Sequence, residues 1–181
     1  MTTNWQAEIE RQRRRKDEYF ADAHRSPLPP DEQSTFGGLY YYPIDPDYRD
    51  ERPLDEYDEK PVVTVGTSTE GEREYLAWGE FTVEVSGEQV TLVAYRADPD
   101  DDRLWVPFRD ATSGAETYGA GRYLDLEADD HRTEDGWIVD FNQAYNPTCA
   151  YADGYECPLP PTDNWLTVPI EAGEKVYDRD H

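Results

Sequence analysis

From Val62 onward, apolar and polar residues alternate in short runs broken by turn residues, the pattern of β-strands rather than helices. Val62 to Val65 is β-branched. In Tyr75 to Val85, Phe81, Val83 and Val85 fall on one face and Thr82 and Glu84 on the other. Ser86-Gly87 supplies a tight turn into Gln89 to Arg96, where Val90, Leu92 and Ala94 oppose Val93 and Tyr95. Apolar residues on both faces predict a central strand there. Arg103 to Phe108, Gly121 to Ala128, Gly136 to Asn142, Leu166 to Ile170 and Lys175 to Tyr177 continue the series. No long helical stretch separates these runs, which argues against parallel strands joined by helical crossovers.

The N-terminus differs. Residues 4–24 predict the one substantial helix, with Asn4 as its cap and Trp5, Ile9, Tyr19, Phe20 and Ala23 as a partial apolar stripe. Pro27, Pro29 and Pro30 end it. Residues 26–60 hold six prolines, Gly37-Gly38 and the aromatic group Phe36, Tyr40, Tyr41 and Tyr42. That aromatic density predicts an ordered irregular wrap rather than a disordered linker. The expected fold is mainly β: an antiparallel sandwich or barrel-like sheet with one N-terminal α-helix packed against it. A single domain over residues 1–181 accounts for the chain, with residues 61–181 as the β body and residues 108–174 as its motif-rich part.

Charge changes the picture. The 181 residues carry 41 acidic and 17 basic side chains, a formal net charge of -24. Fourteen of the cations are Arg, and Lys16, Lys60 and Lys175 are the only lysines. Such a balance argues against sequence-independent nucleic-acid binding, which needs a large cationic surface. No apolar run approaches the length of a membrane span, and no secretory h-region opens the chain, so the expected location is cytoplasmic. Acids interleaved with strand residues read as the acidic skin of a folded body adapted to molar salt, where a Debye length of about 3 Å screens self-repulsion. The basic run Arg11-Gln12-Arg13-Arg14-Arg15-Lys16 is read as a solvated helix face pairing with the chain's own carboxylates, in preference to a patch for an anionic partner.

Candidate chemistry gathers in the motif-rich part. Alternation places Asp140 and Asn142 on one face of their strand, and Arg122 on a face with Leu124 and Leu126. An Arg in that company is buried and needs a carboxylate, for which Asp140 or Asp110 is the natural partner. Such a pair either staples two strands or, with Thr112, Ser113 and Tyr118 adding hydroxyls, holds a polar or anionic ligand.

The strings FGGLYYYPIDPDYR, FRDATSGAETYGAGRYL, DFNQAYNPTCAY, CPLPPTDNWL and IEAGEK, running from RKDEYF in the helix to the terminal AGEK, together resemble the DUF1684 family of uncharacterised proteins, here in a haloarchaeal-type member. The resemblance implies a shared motif region and no assigned activity. It places Phe108, Asp110, Thr112, Tyr118, Arg122, Asp140, Asn142, Tyr145, Asn146, Pro147, Cys149, Tyr151, Cys157 and Pro158 at motif positions.

Cys149 and Cys157 are the only cysteines. A disulfide closing this short loop, two buried thiols, and a nucleophilic thiolate activated by Arg122 or His131 are the readings open. A zinc site lacks the usual ligand spacing, with His24, His131 and His181 far off in sequence. No metal is therefore indicated, and the sequence assigns no particular cofactor.

The expected function is the binding of a small polar or anionic molecule. Tyr118, Tyr145, Tyr151 and Trp137 would form the walls, and Arg122, Asp140 and Asn142 would fix orientation; Asp110, Thr112, Asn146 and Cys149 complete the candidates. Two alternatives stand beside it. One is a hydrolase using Asp110 or Asp140 as general base, although no familiar catalytic motif is present. The other is an interaction module docking through the Tyr-rich residues 36–48. The charge makes its own prediction: the melting temperature climbs steeply with KCl in a thermal-denaturation series, and a flat dependence contradicts the salt-adaptation reading.

Overall fold

The computed structural model describes residues 2–152 and 155–177. In chain order its elements are α1 (Thr2–Asp22), α2 (Pro30–Gln33), β1 (Arg49–Arg52), β2 (Asp55–Glu56), β3 (Val62–Gly66), β4 (Glu72–Val85), β5 (Glu88–Arg96), β6 (Leu104–Phe108), β7 (Arg122–Leu126), α3 (Ala128–His131) and β8 (Trp137–Asp140). Tight 3-10 turns lie at Pro46–Tyr48, Phe141–Gln143, Thr148–Ala150 and Thr162–Asn164.

All the sheet pairing is antiparallel. Strands β4, β5, β6 and β7 pair in that order, with β2 and β3 both on the free edge of β4. A second, two-stranded sheet pairs β1 with β8, Arg49 opposite Asp140 and Arg52 opposite Trp137. Phe81, Val83, Leu92, Leu104, Val106, Phe108, Leu124 and Leu126 from the larger sheet meet Trp137 and Val139 of β8 in one core. The mainly β, sandwich-like architecture is the one expected, with its helix at the N-terminus.

Local detail follows the chain's chemistry. Ser86 and Gly87 both adopt positive φ (53° and 82°), as the primed turn between β4 and β5 demands. β5 is central and buries both faces: Leu92 and Ala94 in the main core, Val93 and Tyr95 in a second cluster with Ala77. Its ladder to β6 is sparse, registered at Tyr95 opposite Trp105, and Pro107 has no N–H to donate. Asn164, fully buried, makes up the difference. Its side chain accepts from the Val93 N–H (2.8 Å) and donates to the carbonyls of Val93 (2.9 Å) and Pro107 (2.8 Å).

Three expectations need correction. Asn4 lies inside α1, which begins at Thr2, so it is no cap. Leu166 to Ile170 and Lys175 to Tyr177 are not strands. Their backbone groups are taken instead by single partners in scattered segments: the Leu166 N–H by the Arg109 carbonyl, the Ile170 N–H by Asp110, and the Lys175 and Val176 N–H groups by the carbonyls of Tyr40 and Glu116. The basic run is also not wholly a solvated face. Trp5, Ile9, Arg13, Lys16 and Phe20 form one helical stripe, each buried or half-buried, and this mixed apolar and cationic stripe docks α1 on the body. Arg11 and Arg15, on the outer side, pair with Glu8 of the same helix.

Residues 26–60 are not wholly irregular, since α2, β1 and β2 lie among them. Leu28, Leu39 and Tyr42 are buried, and Tyr151 and Phe20 join Leu28 and Leu39 in a third apolar cluster. Among Tyr40, Tyr41 and Tyr42, Tyr40 alone is largely exposed, at 51%.

Candidate functional site

β7 begins with Arg122, whose side chain has no solvent exposure. A buried guanidinium needs acceptors for its donors. Arg122 donates to the carbonyls of Ile170 (2.9 Å), Ala172 and Glu174 (3.2 Å), and Asp110 Oδ1 lies 3.5 Å from its Nη2. Burial pushes this guanidinium down from its ordinary pKa, with the Asp110 carboxylate opposing. Asp110 in turn accepts from the Ile170 N–H (2.6 Å) and from the hydroxyls of Thr112 and Ser113. Thr112 also shares a hydrogen bond of 2.9 Å with Thr117. Of the two carboxylates open to Arg122 by sequence, Asp110 is therefore its partner, and the pair clasps the extended segment 168–174 against the sheet.

The clasp sets the next residue of importance. Gly173 has φ of 81°, and a Cβ there would lie 2.6 Å from the Phe141 carbonyl and 2.8 Å from that of Ala144. This close approach lets Gly173 accept from the Tyr42 N–H and lets Glu174 donate its N–H to Ala144. The Glu174 side chain, fully buried, then points toward α1. Lys16 donates to its Oε2 at 2.6 Å; Oε1 meets no donor in hydrogen-bond geometry among the described residues, although the Asn146 backbone N–H stands near enough to the carboxyl to favour its charged form. Burial pushes the Glu174 carboxyl above the usual carboxylate range, the Lys16 ammonium chiefly opposing.

Beside this carboxyl, between α1 and the body, lies a cleft of about 190 Å³. Ile9, Gln12, Arg13 and Lys16 form the helix side; Tyr41, Asn142, Ala144, Tyr145 and Glu174 form the body side. Arg13 donates to the carbonyls of Tyr42 (3.1 Å) and Asn142 (3.2 Å) and lies over the Tyr41 ring at 4.3 Å, leaving its Nε unpartnered. The buried Tyr41 hydroxyl is likewise unpartnered; burial and the Glu174 carboxylate push its pKa up, so it keeps its proton. Two donors and one acceptor thus border one small cavity without protein partners.

The structure divides the residues singled out by sequence. Asn142 and Tyr145 reach the cleft. Arg122, Asp110 and Thr112 are committed to the clasp. Asp140 and Asn142 do stand together, with Nδ2 of Asn142 donating to Asp140 Oδ1 at 2.8 Å, but they do not converge on Arg122. Asp140 Oδ2 instead accepts from the Trp5 indole at 2.7 Å, with Arg49 at 4.0 Å, and Asn142 exchanges hydrogen bonds with the Asp45 backbone. Trp137 is core rather than cavity wall. Tyr118 and Cys149 line a separate narrow crevice. Asn146 donates to the Lys175 carbonyl at 3.0 Å and leaves its own Oδ1 unpartnered.

Cys149 and Cys157 form a disulfide, with Cα atoms 6.4 Å apart. It ties down the loop that carries Tyr151, whose ring meets Phe20 of α1 edge-on at 4.7 Å. Among the described residues, no group of His, Cys, Asp and Glu is arranged to hold a metal ion; His181 lies outside those residues.

Sequence reasoning missed Glu174, Arg13, Lys16 and Tyr41. The signal for Glu174 was the small pair Ala172-Gly173 before it, which permits a segment to press closely on its neighbours.

A mainly antiparallel β body with a helix laid across it and a small cleft at the seam defines the class of protein. Residues 34–175 match the family described as "Protein of unknown function (DUF1684)", and the chain belongs to that family. The match begins beyond α1. The solution NMR structure of an uncharacterized protein of Haloarcula marismortui is similar along the whole chain: 39% identity, a TM-score of 0.75, covering 99% of this chain and 98% of that one. No curated protein matches the chain.

Removing one partner of a buried ion pair leaves the other uncompensated, at a cost of about 3–5 kcal/mol. Asp110→Ala is therefore expected to destabilise the protein by about that much in denaturant unfolding. A loss below about 1 kcal/mol, the scale of an exposed pair, contradicts the clasp.

Proposed function

We propose that this protein is a small-molecule-binding β domain whose ligand is a polar molecule lodged between α1 and the body. The observation that carries the reading is Glu174, a fully buried carboxyl with one oxygen on Lys16 and the other unpartnered beside the cleft. An unpaired buried acceptor is costly to keep, and a ligand donor would relieve it. Tyr41 and Arg13 offer a hydroxyl and an N–H to the same occupant. The cleft is smaller than the roughly 300–1,000 Å³ of drug-sized sites, which restricts the ligand to a few heavy atoms.

The anionic form of the expectation has less support than the polar one. Its intended receptor, Arg122, has both Nη groups on backbone carbonyls and lies outside the cleft, so that its one unpartnered donor, Nε, does not face the occupant; Arg13, at the cleft, likewise keeps only its Nε free. The hydrolase reading weakens for a similar reason, since Asp110 and Asp140 are engaged by protein donors. Adaptation to molar salt gains support from the likeness to a Haloarcula protein along its whole length. No helix among the described residues is long and apolar enough to cross a membrane.

Ligand-observed NMR with acetate, glycolate, glycerol and methylammonium as probes tests the proposal. At least one probe is expected to bind saturably to the wild type, and Glu174→Gln to weaken it about tenfold or more, the scale of a hydrogen bond to a charged group. No saturable binding, or equal binding to the variant, overturns the reading.

A further inference from the structure

The Lys16 ammonium does more than meet Glu174. It lies over three aromatic rings: Tyr145 at 5.3 Å, Phe20 at 5.7 Å and Tyr151 at 5.7 Å from the ring centroids. Each ring presents its electron-rich face to a cation within about 6 Å, the range in which the attraction is significant. Every one of these rings is itself fixed. Tyr145 donates its hydroxyl to Asp125, and its backbone bridges to Tyr123 in both directions. Tyr151 is 2% exposed and is held between Phe20 and Tyr177, on a loop closed by the Cys149–Cys157 disulfide. A buried carboxylate at the base and rings around the sides is the arrangement that recognises an ammonium head: the acid balances the charge, and the rings replace its water.

Body and helix contribute unequally. Glu174, Tyr145 and Tyr151 belong to the body and lie within residues 34–175; Lys16 and Phe20 come from α1, before that range. Removing the Lys16 side chain alone would leave a carboxylate and two body rings facing an ammonium-sized space that opens on the cleft.

We infer that Glu174, Tyr145 and Tyr151, with Phe20, form a recognition site for an alkylammonium group, which Lys16 fills from within the chain. The inference rests on the reading of the cleft as a ligand site and names its ligand class: a small molecule bearing a primary or methylated amine. Such a ligand exchanges with the Lys16 head. Its remaining atoms lie in the cleft against Ile9 and Ala144, within reach of Tyr41. Lys16 is then a plug in cis, and ligand binding is coupled to the seating of α1.

The test uses the full chain with Lys16→Ala and propylammonium chloride as the probe, with KCl added to the controls to match chloride and ionic strength. Propylammonium is expected to raise the melting temperature of Lys16→Ala saturably. Its apparent affinity should be about tenfold tighter than for the wild type, whose site is already filled, and the double variant Lys16→Ala, Glu174→Gln should lose the effect. Lys16→Gln keeps a donor for Glu174 without the charge and serves where the alanine variant does not fold; propylammonium is expected to stabilise it as well. If neither variant responds to propylammonium beyond its response to KCl, the ammonium site is overturned. Should glycolate or glycerol still bind the wild type in a Glu174-dependent manner, that result removes the ligand class while the cleft itself stands.

Discussion

A guanidinium buried without solvent must find its acceptors inside the protein, and for Arg122 these are the carbonyls of alternate residues Ile170, Ala172 and Glu174 along one extended segment rather than a single carboxylate. Asp110 closes the arrangement from the other side by accepting the Ile170 N–H while standing 3.5 Å from Arg122. Backbone that would otherwise be a strand at the sheet margin is thereby held by two side chains. The segment emerges on the far side at Gly173, whose lack of a Cβ permits close contact with the Phe141 and Ala144 carbonyls. Everything proposed for the cleft depends on that path, because it delivers the Glu174 carboxyl to a dry place under α1.

The helix is the second half of the arrangement. A stripe that alternates apolar and cationic residues cannot dock on a purely apolar surface, and the body answers it in kind. Phe20 finds an apolar cluster, Ile9 is buried at the cleft, Trp5 finds Asp140, Arg13 finds two carbonyls and the Tyr41 face, and Lys16 finds Glu174. Polar docking of this sort is specific in register yet less strongly held than an apolar seam of equal area, since each charge removed from water must be compensated in full. A seam that is polar, incompletely satisfied and bordered by a cavity is where a small ligand can compete with the protein's own groups.

Much of the fold was legible. The primed turn at Ser86-Gly87, the two-faced apolar pattern of β5 and the break at the prolines after α1 each have a local cause that periodicity exposes. The burial of Arg122 was legible too, from its place beside Leu124 and Leu126. What escaped was long-range. Asn164 replacing a ladder beside Pro107, and Arg122 gathering carbonyls fifty residues away, depend on partners that no spacing encodes. The basic run misled because composition counts charges without saying which side of the helix they occupy: Arg11 and Arg15 do face outward, whereas Arg13 and Lys16 do not. Alternation placed Asp140 and Asn142 together on a strand, but β8 ends at Asp140, and the two meet because the Asp140 carboxylate caps the 3-10 turn that holds Asn142; Trp5 and Asp45 then occupy them.

The cleft has a function only if Glu174 is held out of water beside it. Carbon-detected NMR titration of its side-chain carboxyl answers this in the intact protein. A midpoint above the ordinary glutamate value of about 4.3 is the outcome the account requires, because burial outweighs the Lys16 ammonium. A midpoint at or below that value would place the carboxyl in water or in an ordinary surface ion pair, and the clasp would then have no site to hold.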